Sequence, residues 1–139
     1  MPSPPEEAMT DYHDPFIAPV CWFDIPTVDD RVVKSGAIYV EHFPIPVVSP
    51  VRDPYVGGGI IGKIDSYEIT DGVMTVLGYA DRSALPTDED NNPIYTVGMD
   101  LNMIETAVEN DLLVFTRARL MAISVINRPA FEAAKMRFD

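Results

Sequence analysis

Beyond Asp30 the chain is a succession of short apolar runs, several alternating with polar positions, separated by turn residues, which is the pattern of strands. Val32-Val33 and Ala37-Ile38-Tyr39-Val40 flank Lys34-Ser35-Gly36 and predict a hairpin. The stretch from Pro44 to Pro54 is punctuated by prolines, which lack a ladder donor, and predicts an irregular connection outside any sheet. Gly57-Gly58-Gly59 opens a strand from Ile60 to Ile64 that continues through Tyr67 to Ile69. Thr70-Asp71-Gly72 turns it, and Val73 to Tyr79 is its returning partner. Asp88 to Pro93 reads as an exposed loop and Ile94 to Leu101 as a further strand. Leu112 to Phe115 and Arg119 to Ile126 complete the strands, with a charged break at Thr116-Arg117. Pro129 to Phe138 has Pro at its start and good helix formers after it, and predicts a short C-terminal helix. The expected fold is mainly β with minor α, a barrel or sandwich without internal repeat.

The first 27 residues follow a different rule. Six of the 13 prolines fall there, which favours extended backbone, yet so do Phe16, Ile17, Trp22 and Phe23. An extended N-terminal arm over 1–27 and a β-barrel domain over 28–139 are expected. The arm either folds back on its own domain or lies on a neighbouring subunit, with those four apolar residues as interface anchors.

Charge narrows the partners. The 139 residues carry 22 acidic and 10 basic side chains, a formal net charge of −12. Such a chain has no electrostatic footprint for a phosphate backbone or an anionic membrane surface, so neither nucleic acid nor membrane is expected as a partner. Cys21 is the single cysteine, which excludes an intrachain disulfide and a cysteine-based zinc site; it reads as a small buried hydrophobe. No apolar run approaches the length of a membrane span, and the N-terminus lacks the basic and apolar regions of a signal peptide, so synthesis in the cytosol is expected.

Few residues suggest chemistry. The triple glycine precedes a strand rather than following one, so it is not a phosphate cradle. Asp88 to Asn92 offers oxygen ligands but lacks the glycine and closing glutamate of a calcium loop. His13 stands among carboxylates in the arm without further ligands, and neither a metal nor a cofactor is expected. His42 ends a strand just before a proline break, a position from which a base reaches a pocket.

Three blocks in order carry a resemblance. Gly59-Ile-Ile-Gly-Lys-Ile-Asp-Ser-Tyr-Glu-Ile-Thr-Asp-Gly-Val-Met-Thr-Val-Leu-Gly-Tyr-Ala-Asp81 resembles the "IGK-V … DGL-V-G" hairpin of tailed-phage prohead (capsid maturation) proteases. Tyr95-Thr96-Val97-Gly98-Met99 is similar to their "S-[IV]-G-[FM]" strand, and Ala122-Ile-Ser-Val-Ile-Asn-Arg-Pro-Ala130 to their "E-V-S-L-V-x-x-P-A" signature. The blocks span about residues 36 to 136. The resemblance implies a β-barrel flanked by helices, shared with herpesvirus assembly proteases, and a Ser–His–third-residue endopeptidase.

Placed on this chain, the family's base falls on His42, its nucleophile on Thr96 and its acidic third residue on Ala122. Threonine adds a methyl that crowds Oγ, and alanine can neither orient nor stabilise an imidazolium. Asp100 and Glu105 are the nearby acids, and Ser124 reads as a strand residue bonded to backbone. No intact catalytic set is therefore expected, only remnants at these three positions. The implied function is a virion structural protein on a degenerate protease barrel, a minor capsid or decoration protein. Its expected partner is the major capsid protein, and a homo-oligomer, a trimer by shell symmetry, is expected. Its acidity favours the outer capsid surface, away from packaged DNA. An active capsid maturation endopeptidase and a tail or head-tail adaptor are the alternatives.

Overall fold

The computed structural model describes residues 12–49 and 59–138; the strand-rich chain curls one sheet into a half-barrel. The predicted central hairpin is its clearest element. Strands β5 (Ile60–Thr70) and β6 (Val73–Ala80) pair antiparallel from Gly62↔Ala80 to Thr70↔Val73. The turn needs left-handed backbone at both central positions, and Asp71 (φ 53°) and Gly72 (φ 77°) supply it. On β6 the inward set Met74, Val76, Gly78 and Ala80 alternates with Val73, Thr75, Leu77 and Tyr79, and the inward set is buried.

The segment expected to be an arm is part of the sheet. Strand β1 (Asp14–Trp22) pairs antiparallel with the whole length of β6, from Asp14↔Ala80 to Trp22↔Val73. A register shift between Pro19 and Cys21 moves the buried set from Phe16, Ala18 and Val20 to Cys21 and Phe23. That bulge explains why the alternation is not visible as one period. Among the described residues, β1 pairs beyond β6 only through Phe16 and Ile17 with β9 (Arg137–Phe138), so Pro15 and Pro19 lie along an edge otherwise open there, where strand prolines are tolerated. Asp14–Trp22, inside the span expected to be an arm, is thus a strand of the half-barrel sheet; residues 1–11 lie outside the described part.

Strands β2 (Arg31–Val33) and β3 (Ile38–Tyr39) are not a hairpin. Both run parallel to β8 (Leu112–Val125), as does β4 (Ile45–Val48), so 31–48 travels along one edge of β8. The pairings Arg31↔Leu113, Ile38↔Ala118 and Val47↔Ile123 leave two extra residues in the first interruption and four in the second. Gly36 (φ 81°) accommodates the first, closed by Ala37 N–H to the Lys34 carbonyl at 2.9 Å. Strand β4 corrects the expectation for 44–54. It sits between β8 and β5 with Ile45 and Val47 buried, and β8 pairs only with Val47 and Val48, so Pro46 interrupts no ladder there. Residues 50–54 of that stretch, and Gly57 and Gly58, lie outside the described residues.

Strand β7 (Val97–Glu109) pairs with β8 along its length, so the expected break at Thr116-Arg117 is absent. Three register shifts, near Asp100, Asn102 and Glu105, absorb the irregular residues as bulges instead. The predicted C-terminal helix is absent as well. Among the described residues the helical content is one 3-10 turn, Arg82–Ala84. Segment 129–138 makes a turn at Phe131–Ala134 and then runs extended, with Ala134 and Met136 buried and Lys135 and Arg137 exposed. Val97 N–H bonds the Ala134 carbonyl (2.9 Å) and Met136 N–H the Tyr95 carbonyl (2.8 Å), stitching this segment to the start of β7. An isolated helix this short is marginal, whereas these pairings bury Phe131, Ala134 and Met136 in the core.

Candidate functional site

The three positions that the resemblance would assign to catalysis, His42, Thr96 and Ala122, are spread beside β8 rather than gathered. His42 is exposed in the connection between β3 and β4, in a shallow depression with Glu41, Pro44, Arg119 and Met121. Arg119 pairs there with Glu41 and donates from Nε to the Met121 sulfur at 3.0 Å. Thr96 lies past the C-terminal end of β8, against Ile126. Its hydroxyl donates to the Ile126 carbonyl, whose own N–H bonds the Thr96 carbonyl at 2.9 Å. From Leu120, beside His42, to Ile126 is six residues of extended chain, roughly 20 Å. No proton passes directly from Thr96 to His42 over that separation.

Ala122 lies near the C-terminal end of β8, opposite Asp100 of β7. Asp100 instead accepts a hydrogen bond from Ser124 Oγ at 2.5 Å, so Ser124 bonds a carboxylate rather than the expected backbone group. Glu105 lies opposite Arg117 further along the same ribbon. The acids named as stand-ins are thus both on β7, one bonded to Ser124 and the other facing Arg117, and neither lines the depression that holds His42.

The four proposed anchors divide. Phe16 and Phe23 are buried in this chain's own core, and Trp22 packs at a tilt against Phe131 with ring centroids 5.3 Å apart. Only Ile17, 37% exposed, offers its side chain outward. Phe16 and Phe23 therefore serve the fold rather than an interface.

Other polar clusters are occupied locally. Asp88 Oδ1 accepts from the N–H groups of Asp90 (2.9 Å) and Asn92 (3.0 Å), which spends that carboxylate on its own loop. Among the described residues no group of His, Cys, Asp and Glu is arranged to hold a metal ion. No helix of the described part is long and apolar enough to cross a membrane. Cys21 is fully buried, and burial followed by the charge of Asp24 pushes its thiol up to about 12.

Two features fall outside the expectations drawn from the sequence. The first is a cavity of about 90 Å³ lined by Val20, Val33, Val97, Leu101, Phe115 and Phe131, with Arg31 also in its wall. Arg31 pairs with Asp29 and its Nε is buried without a partner. Hydrogen bonds from Arg31 and then Thr27 hold the Asp29 carboxyl below its usual range. The second is the outer half of β7, where Met103 (61%), Ile104 (45%) and Val108 (74%) are exposed. Its signal was the alternation Ile104-Glu105-Thr106-Ala107-Val108-Glu109, beyond the point where the strand was expected to stop.

Comparison of the chain with protein-family models, with curated proteins and with solved structures finds no match.

Proposed function

We propose that this chain is a structural protein of a tailed-phage virion, a minor capsid or decoration protein that binds the major capsid shell through a catalytically degenerate prohead-protease-type barrel. The observation that carries the reading is Thr96. At the nucleophile position of the resemblance stands a hydroxyl committed to the Ile126 carbonyl, roughly 20 Å of strand away from His42, with Ala122 in place of an acid. A β-rich body whose long exposed hairpin carries an apolar stripe, Ile104 and Val108, suits a protein whose work is contact rather than turnover. The net charge of −12 favours the outer face of the shell, since an inner face meets packaged DNA of the same sign. Assembly as a small homo-oligomer, a trimer at a shell symmetry axis, belongs to the same reading.

The test is incubation of the purified chain with its own capsid and scaffold proteins, beside His42→Ala and Thr96→Ala variants. Capsid binding without cleavage is the expected result. Cleavage by the wild type that both substitutions abolish would overturn the structural reading in favour of the maturation endopeptidase. Imaging that places the chain in the tail or at the head-tail junction would overturn it in favour of an adaptor.

A further inference from the structure

The outer half of β7 is an open sheet edge with a readable code. Asn110 (φ 53°) and Asp111 (φ 64°) form a two-residue left-handed turn, which makes Glu109↔Leu112 the closing hydrogen-bonded pair. Alternation then points the backbone N–H and C=O of Thr106 and Val108 away from β8. Phe115, the partner of Thr106, has the matching orientation on its own side: its carbonyl accepts from Lys34 N–H at 3.0 Å. Among the described residues β7 pairs with β8 alone, so nothing there covers these outward groups. Nearer the barrel the edge is interrupted, because Met103 is left-handed (φ 52°) and its N–H bonds the Asn102 side chain at 2.7 Å. The usable template runs from Ile104 to Glu109.

Side chains on this template separate by sign and polarity. Ile104, Thr106 and Val108 share one face, beside Leu113, which pairs directly with Val108 and is itself 38% exposed. Glu105 and Glu109 share the other with Ala107, and Asp111 follows at the turn; none of the three carboxylates has an ion-pair partner among the described residues. A second copy of the chain would bring these carboxylates against themselves on a molecule of net charge −12, so self-pairing is disfavoured.

We infer that the Ile104–Glu109 edge of β7 takes an added strand from a partner protein, an extended segment that alternates apolar residues with Lys or Arg. Main-chain bonds to Thr106 and Val108 give the affinity; the apolar stripe against Val108 and Leu113 and the basic stripe against Glu105 and Glu109 give register and selectivity. The edge offers this template in whatever particle the chain joins.

The experiment titrates the full chain with a synthetic peptide of about seven residues alternating Val and Lys, beside its Val/Glu counterpart. Binding is read by fluorescence anisotropy and by amide exchange. The Val/Lys peptide is expected to bind at least about tenfold tighter than the Val/Glu peptide at low salt, with the preference shrinking as salt rises. Slowed exchange is expected at the Thr106 and Val108 amides. Thr106→Pro removes an outward N–H and should abolish binding. The double variant Glu105→Lys, Glu109→Lys leaves every backbone group in place and should reverse the peptide preference. Equal binding of both peptides, protection mapping elsewhere, an unchanged preference in the double variant, or a dimer joined through β7 would each overturn the inference. Because no capsid protein is present, failure here is distinguishable from failure of the virion reading.

Discussion

The two long hairpins are built by the same local rule and end in different situations. Both alternate side chains across a pleated ribbon, and both close through a two-residue turn in left-handed backbone, Asp71-Gly72 in one and Asn110-Asp111 in the other. In β5–β6, β1 lies along all of β6, and β4 lies along the inner half of β5 from Ile45↔Ile64 to Val48↔Ile60. Beyond that, residues 65–70 are exposed and pair with β6 alone among the described residues. In β7–β8, the β8 edge is taken by β2, β3 and β4, while β7 has no further strand among the described residues. Burial therefore follows neighbours rather than pattern. The same alternation that seals Met74 and Val76 leaves Ile104 and Val108 in solvent.

Glycine substitution gives the largest contrast. A Cβ at Gly78 of β6 would fall within 2.9 Å of the Ile64 backbone, and closer still to the Lys63 carbonyl oxygen, neither of which can swing aside. A bulge between Ile64 and Ser66 brings the strands together there. Gly78→Ala should cost about 4 kcal/mol or more, read by urea unfolding. At Gly98 of β7 the same Cβ meets only the Ile126 side chain, its Cδ1 at 2.7 Å, the end of a flexible group. Gly98→Ala should cost under about 1 kcal/mol, and equal losses at the two sites would break the comparison.

Truncation comes next. Ile64→Ala empties a fully buried position of β5 and should cost about 3 kcal/mol, whereas Val108→Ala, at a side chain 74% exposed, should stay within about 0.5 kcal/mol. Both are read by the same unfolding curves. The turns differ less. Gly72→Ala forces a Cβ into left-handed backbone and should cost about 1 kcal/mol. Asp111→Gly relieves that strain (φ 64°) and should raise stability by about 0.5 kcal/mol, seen as a higher midpoint at unchanged slope.

The smallest effect at neutral pH concerns Cys21, on the strand that seals β6. Its thiol is raised in the folded chain to about 12 from an ordinary 9.0. The sign follows from linkage: the folded state favours the neutral thiol, so its contribution is complete below pH 9 and is lost as pH rises toward 12. Stability should fall across that window in the wild type and stay flatter in Cys21→Ala. At pH 8 a thiol reagent should modify Cys21 only after unfolding.

The β5–β6 hairpin was legible because every signal lies within it: Asp71-Gly72 provides the turn, and strand-forming residues alternate on both sides. Strand β1 was not, because prolines argue against a strand until the open edge beside Pro15 and Pro19 is known, and because the bulge before Cys21 hides the period. The C-terminal segment reads as a helix from Pro129, Ala130, Ala133 and Ala134 taken alone. What holds it extended is pairing with Tyr95 and Val97, which lie far upstream and leave no trace in its own composition. The site positions were legible as residue types, but their separation along β8 was not, since it depends on β3, β4 and β7 all being registered on that one strand.

What the sequence determines by itself is what needs only near neighbours: the strand-rich character, the Asp71-Gly72 turn, the acidic balance, and the residue types at 42, 96 and 122. Tertiary structure decided which alternating runs are buried, that Phe16 and Phe23 belong to the core, and that β7 keeps an open edge. The physical reason is that a strand's hydrogen bonds are made with another segment. A helix closes its own backbone, but a strand is completed only by whatever the fold lays beside it, and along Ile104–Glu109 one side of β7 has no strand beside it among the described residues.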